Sequence, residues 1–564
     1  AVVIGSSGDG ALNVLDGATV TTDGAYLGLG TSGSGEVVVN GGSWNAGSGT
    51  IYVGVNGRGV MTIQDSGATV TSGGGVLGND STGYGETVID GGSWNTGSGT
   101  ILIGAYGQGV LTVQNSGALT SNGGTVGWAS GSTSSAATVT GSGSTWTSHD
   151  SLYIGNNGEG VLNIQDGGSV STTQALIIGS NSGSDGAVNL SGSGSSLSVN
   201  DRLSVGASGV GALTVGAGTT VNAGSLYIAS GDDSQGVVTV SGAGAALTAA
   251  AGGQIGYGAG STGSLTVENG ASFETVSEGF YLQGGSVMTV SGANTSVNIG
   301  SEHSGTPSTW SDSDGWLYLG DATVNVSGGA HVEADGVYVS GSLTGGAEMA
   351  VTGSGSVLDG KLAIYVGGDG NNAGTTGDGS LTISDGAMAS ASVVATGNDA
   401  GTTGTILLTG AGSSLSSLYN NETFTGKIYA GYAGDGVITV QNGASLSAAG
   451  ELRVGWLSGV TGSVSIESGS TASSVGAIIG NDAGATGSVT VTGAGSSWTD
   501  TGSQVIVGYA GDGSLDVLDG ATVTAQTLAI AYATGGAGAV TVSGAGSSLT
   551  TTGGVTIGVR IEGH

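Results

Sequence analysis

Short runs of alternating aliphatic and polar residues recur along the whole chain, as at Leu12 and Val14, Leu111 and Val113, and Leu162 and Ile164. A period of two puts one side of an extended strand inward and the other outward. Each run ends at Gly, Asp-Gly or Asn-Gly, which supply the positive φ that a sharp corner requires. Asp16-Gly17, Asp166-Gly167, Asp385-Gly386, Asn442-Gly443 and Asp519-Gly520 are such corners. No stretch carries a sustained 3.6-residue period or a capping pattern, so helices are expected to be nearly absent.

The punctuation is itself periodic. GGSWNAGSGTIYVG (41–54) returns as GGSWNTGSGTILIG (91–104), 50 residues on. An aliphatic-Gly pair closes a finer unit at Gly5, Gly30, Gly54, Gly78, Gly104, Gly127, Gly155, Gly179 and Gly206, and again at Gly455, Gly480, Gly508 and Gly558. The step is about 25 residues and holds three short strands. One such unit cannot bury its apolar side alone, but stacking units in register does, which predicts an all-β parallel β-helix, or solenoid. About 22 or 23 coils at ~4.8 Å each would make a rod roughly 110 Å long. Regular coils are expected over 1–300 and 431–564. Over 301–430 the step is disturbed by Pro307 in SEHSGTPSTWSDSDGW, by 371–379 and by 416–426, all read as inserted loops or lengthened turns. The first residues begin mid-unit and the last stop in the turn after a third strand, as in a fragment of a longer protein or a subunit whose open ends neighbours cover.

Composition narrows the function. Glycine supplies 123 of 564 residues, and there is one proline and no cysteine. Collagen is excluded, as are a disulfide framework and a thiolate metal site. Six Lys and Arg stand against 40 Asp and Glu, a net charge of −34, so nucleic acid is no partner. No apolar run approaches the ~18 residues of a membrane span, and no basic leader opens the chain.

The phrases VTVSGAGSSL (540–549), VTVTGAGSSW (489–498), LTISDGA (381–387) and LYIGNNGEGVLNIQDGGSV (152–170) resemble the strand-loop-strand repeats of bacterial autotransporter (type V secretion) passengers and of PEP-CTERM-associated repeat proteins. The resemblance covers nearly everything outside the disturbed regions. It implies a right-handed β-helix, exported through a C-terminal barrel to the extracellular or outer-membrane surface of a Gram-negative-type bacterium. Adhesion, autoaggregation and biofilm formation are the roles it implies.

Catalysis is not expected. A lyase of this shape needs carboxylates gathering calcium beside a basic residue. The cations Arg58, Arg202, Lys361, Lys427, Arg453 and Arg560 are scattered, with no two read as one coil apart. His149, His303, His331 and His564 have no zinc spacing. No organic cofactor is expected. Calcium is the one ion to consider, at Asn79-Asp80, Asn398-Asp399, Asn481-Asp482, Asp232-Asp233 and Asp312-Ser313-Asp314, although turn chemistry accounts for these pairs as well.

Aromatic residues give the candidate contacts. Trp44, Trp94, Trp146 and Trp498 occupy second-strand positions held elsewhere by Val20, Val70, Leu197 or Leu549, and are expected in the core. Tyr432, Trp456, Tyr509 and Tyr532 instead follow the closing residue of nearby coils, with Asn481 between them, as a sparse ladder along one edge. Trp310 and Trp316 flank the acidic pair Asp312 and Asp314. These eight residues are the candidate contacts for a glycan or protein, or for a second copy of the chain. The expected function is a structural adhesin acting through the faces of the solenoid. The alternative is a filament or surface-layer subunit stacked head to tail, and a polysaccharide lyase or hydrolase ranks third.

Overall fold

A computed structural model describes residues 1–132, 134–300, 315–341, 345–368, 377–419, 426–502 and 504–558. Among them there is no helix. Parallel strands stack into a β-solenoid with about 26 residues per turn and about 20 turns, slightly longer and fewer coils than the sequence step suggests. The chain divides into two compact units, Ala1–Val276 and Ser277–His564.

Within the first unit most coils have a long strand and two short ones, the two short ones running together in Ser196–Val205 and Thr220–Ile228, and each kind pairs with its own kind. The Asp9–Leu15 strand lies on Ser34–Asn40, which lies on Arg58–Gln64. Thr19–Thr21 lies on Ser43–Asn45, and Ala25–Leu27 on Thr50–Val53. Alternation then does what the sequence pattern requires: Val37, Val39, Met61 and Ile63 are fully buried while the residues between them face out. One long-strand residue breaks the apolar column. Thr87 is fully buried between Met61 and Leu111, and its hydroxyl has no hydrogen-bond partner. An unpaired buried hydroxyl costs on the order of 1 kcal/mol or more. Thr87→Val should therefore raise stability by about 1 kcal/mol, measured as a higher urea midpoint at an unchanged denaturant slope.

The corners are of two lengths. The closing glycine reaches the next long strand in four residues from Gly5 to Asp9, Gly54 to Arg58 and Gly104 to Gln108. It takes six from Gly28 to Ser34 and Gly78 to Tyr84. Short and long corners alternate here, so the true repeat in this region is two coils. That is why the longer phrase returns after 50 residues. It also corrects one position: the closing glycine of the second coil is Gly28, with φ +64°, and not Gly30, which lies inside the longer corner. At Ala229 and Ala531 alanine takes the same left-handed place, with φ 52° and 56°.

Interior packing follows the same two-coil rhythm. Trp44, Trp94 and Trp146 are buried, as expected, and each stacks on a smaller residue, Val20, Val70 and Leu119. The lighter coil also carries Ala25, Gly75 or Gly124 at the inward start of its third strand. A Cβ on Gly75 would lie 2.5 Å from Cη2 of Trp94, so the indole occupies the space that this glycine leaves. Each indole N–H donates to a hydroxyl of the lighter coil, Thr22, Ser72 or Ser121, at 3.0–3.1 Å.

In the second unit the long strands again stack on each other, from Asp378–Ser384 through Thr403–Thr409 to Asp435–Gln441 and onward to Ala537–Ser543. Here a serine seals the corner after the long strand. Ser413 Oγ accepts the Gly386 N–H of the preceding coil and donates to its own Thr409 carbonyl. Ser547 does the same for Gly520 and Ser543. This is the physical content of the recurring phrase G-A-G-S-S: the first serine satisfies backbone groups that an inward corner would otherwise orphan. Trp498 repeats the tryptophan device, buried against Ala472 and donating to Ser474 at 3.0 Å.

Candidate functional site

The outer side of the third strand in the second unit carries the densest side-chain chemistry. Its outward middle position is tyrosine in Phe280–Leu282, Trp316–Leu319, Gly336–Val339 and Ala363–Val366. Register places Tyr281 on Tyr318, Tyr318 on Tyr338 and Tyr338 on Tyr365. Their rings stack at 4.6, 5.1 and 5.1 Å, so ring faces are spent on each other. Ala395 interrupts the row, and Tyr429 and Arg453 continue it.

Trp316 lies beside this ladder. Its register partners are Gly336, then Ala363 and Val393, small residues that let the indole lie flat across the outer face. It is only 8% exposed and stacks on Tyr338 at 4.7 Å. The structure thus buries Trp316 within an aromatic cluster with Tyr365, against which Tyr318, Tyr338, Tyr429 and Tyr432 pack. Burial, reinforced by Tyr432 and Tyr429, holds the Tyr365 phenol far above its ordinary value. Trp310, Asp312 and Asp314 lie outside the described residues, as do most of the inserted loops.

The edge ladder is in register as expected. The backbone N–H groups of Trp456, Asn481, Tyr509 and Tyr532 donate to Gly431, Gly455, Gly480 and Gly508 of the preceding coils. Asn481 splits it into two groups. Tyr509 and Tyr532 stack at 5.6 Å. Tyr432 and Trp456 both meet Tyr429 edge-on, at 5.1 and 5.9 Å.

Two cations join the second group, which corrects the expectation that none lie one coil apart. Lys427 and Arg453 are on neighbouring strands, Lys427–Ala430 and Leu452–Val454. Arg453 donates to Glu451 through Nε and Nη2 at 2.8 and 2.5 Å, and through Nη1 to the Tyr429 hydroxyl at 3.1 Å. Its guanidinium lies 3.8 Å from the centre of the Trp456 ring. The Tyr ladder and this pair escaped sequence reading, although a signal was present. The phrases FYL, LYL, VYV, IYV and KIYA repeat a central tyrosine at the closing strand.

One metal-type group stands among the described residues. Ligand atoms of His331, Glu333 and Asp359 lie within 4.8 Å of one another on adjacent second strands, but the Lys361 ammonium already holds Glu333 at 2.5 Å. The carboxylates considered for calcium serve turns where their bonds are described: Asp232 accepts the Ala259 N–H, and Asp482 accepts from the Asn481 amide. No helix among the described residues is long and apolar enough to cross a membrane.

The chain is therefore a parallel β-solenoid with an aromatic outer face on its second unit. No protein-family model matches it, and no curated protein does. Among solved structures it is similar to a TibA fragment hyper-glycosylated by TibC. The identity is 17%, covering 72% of this chain and 99% of that one, at a TM-score of 0.32. A likeness that distant assigns no function.

Proposed function

We propose that the protein is a surface-displayed or secreted structural adhesin, mediating cell-cell aggregation, attachment or biofilm formation through the faces of its solenoid. The observation that supports this is the outward polar lattice repeated coil after coil. Thr69 bonds Ser43 at 2.9 Å and Thr71 bonds Asn45 at 3.1 Å. Asn189 bonds Asn163 at 3.1 Å and Ser473 bonds Ser447 at 3.0 Å. Identical weak contacts at one spacing multiply when two such faces align. The strand-loop-strand resemblance supports the same reading and, with it, an extracellular or outer-membrane location.

Cells displaying the chain on a surface anchor should sediment within hours at physiological salt and stay dispersed at low salt. The −34 charge repels between copies, and the screening length falls from about 30 Å at 0.01 M to about 8 Å at 0.15 M. Thr71→Glu or Ser473→Glu, each an exposed outward position with no carboxylate opposite it, should slow sedimentation while leaving the thermal midpoint nearly unchanged. Cells that remain dispersed at every salt concentration would remove the adhesin reading. Continuous fibres of purified protein in electron micrographs would replace it with the head-to-tail filament.

A further inference from the structure

Lys427 and Arg453 face a single carboxylate, Glu451, so this spot carries one net positive charge on a chain whose total is −34. The two cations are not equally satisfied. Arg453 gives three of its N–H groups to Glu451 and Tyr429 and lays its face on Trp456. Lys427 Nζ stands 3.9 Å from the nearest Glu451 oxygen, and its side chain keeps 23% of its surface open. Burial and then the Arg453 charge push its ammonium below the ordinary lysine value, with Glu451 pulling the other way. The site is short of negative charge at an accessible donor. Arg453 links Glu451 to the Trp456 ring, and Tyr432 and Trp456, on the same two coils, are half-buried and held edge-on to Tyr429.

We propose that Lys427, with Tyr432 and Trp456, binds an acidic sugar of an anionic glycan. The carboxylate or sulfate pairs with Lys427 Nζ, and the C–H face of the ring rests on Tyr432 and on the side of Trp456 away from the Arg453 guanidinium. This rests on the adhesin reading and gives it a ligand class. Charge selects the anion: a neutral sugar would leave the ammonium uncompensated, whereas a carboxylate or sulfate supplies a charge-assisted hydrogen bond. The aromatic pair selects a sugar over a simple anion, because a pyranose face offers apolar area that inorganic phosphate lacks. Arg453 and Glu451 act as positioning residues. Their mutual bonds fix Trp456 and keep Glu451 from closing fully on Lys427.

The test is binding of the purified chain to an immobilised polyuronate, a sulfated glycosaminoglycan and neutral dextran. One or both anionic glycans should be retained and dextran should not; retention on the polyuronate alone or on the sulfated chain alone distinguishes carboxylate from sulfate. Lys427→Gln should weaken retention about tenfold or more, as expected for losing a hydrogen bond to a charged group. Lys427→Arg should preserve most of it, and Trp456→Ala should weaken it. Arg58→Gln, at an exposed ion pair with Glu86 in the other unit, should change nothing. Raising salt from 0.05 to 0.3 M weakens the Lys427 pair but also screens the −34 charge that repels a polyanion, so wild type should lose its advantage over Lys427→Gln as salt rises. Equal retention on dextran, equal loss with Arg58→Gln, an unaffected Lys427→Gln of unchanged thermal midpoint, or a wild-type advantage over Lys427→Gln that does not fall with salt overturns the proposal. Polyglutamate held as tightly as polyuronate overturns it in favour of an acidic protein partner. The adhesin reading fails separately, if displaying cells stay dispersed while the purified chain still holds the glycan.

Discussion

Gly75→Ile should destabilise the first unit by about 3–5 kcal/mol, and adding Trp94→Leu should recover a substantial part of that loss. The backbone is not the obstacle, since Gly75 sits in a regular strand between Ile51 and Ile101, and its φ is not left-handed. The obstacle is the indole. A Cβ at residue 75 would already press on Cη2 of Trp94, and both Trp94 and its neighbours are fully buried, so nothing can move aside cheaply. Trp94→Leu alone opens a cavity above Gly75 and takes away the indole N–H that the Ser72 hydroxyl accepts, leaving that hydroxyl its bond to the Gly74 carbonyl, at a cost of about 2–4 kcal/mol. The pair together exchanges a small-plus-large arrangement for two medium residues, as where Leu197 follows Leu176 of the coil before. The coupling energy in a double-mutant cycle should exceed about 1 kcal/mol. Urea unfolding followed by circular dichroism gives the totals, and amide exchange at Ile101–Ile103 locates the opening. Additive losses would mean that the two-coil packing unit does not exist.

That unit shows how far the sequence could be read. The strand alternation, the Asp-Gly corners and the buried tryptophans were all legible because each is a local rule: period two, positive φ, a large apolar residue where others have Val. Asp16, Asp166, Asp385, Asn442 and Asp519 all take φ of 51–59°, as their pairing with glycine implies. What was not legible depends on the offset between coils. Gly75 and Trp94 are complementary only across a coil boundary. Lys427 and Arg453 meet only because Lys427 starts one third strand and Arg453 sits inside the next. A fixed 25-residue step cannot predict such meetings when corners vary in length. The partner of Tyr26 is 26 residues on at Tyr52, whereas that of Ala395 is 34 residues on at Tyr429. The same variation placed a closing glycine at Gly30 where the chain uses Gly28. Outward tyrosines were missed for a different reason. Period two identifies which residues face out but not that the same outward residue recurs on successive coils, and only recurrence makes a ladder.

Asp500→Ala should cost the second unit about 2–4 kcal/mol at neutral pH, even though it removes a charge from the interior. The carboxylate is 3% exposed and accepts three hydrogen bonds: from Ser474 Oγ at 2.6 Å, Gly476 N at 2.7 Å and Gly502 N at 3.1 Å. Ser474 in turn accepts the Trp498 indole N–H, so a chain of donors ends on this one acceptor. Removing it orphans two backbone N–H groups, and each costs about 1–3 kcal/mol. The ionised form is nonetheless disfavoured. Burial raises the carboxyl pKa above the ordinary aspartate value, and the three hydrogen bonds only partly oppose that. The sign of the pH effect follows. Where the folded pKa exceeds the unfolded one, the folded state binds more protons between the two values, so stability falls as pH rises through that window. At neutral pH the burial penalty is fully present, and it is withdrawn as pH falls through the folded pKa toward the unfolded value near 3.9. Asp500→Asn has no titrating group here. Wild type should therefore gain stability relative to Asp500→Asn as pH drops from 7 toward 4, while the general relief of the −34 charge is common to both and cancels in the difference. Paired thermal or urea unfolding across that range measures it. A difference that stays flat, or shrinks as the acid end is approached, would show that the hydrogen bonds outweigh burial and that Asp500 is an ordinary stabilising carboxylate.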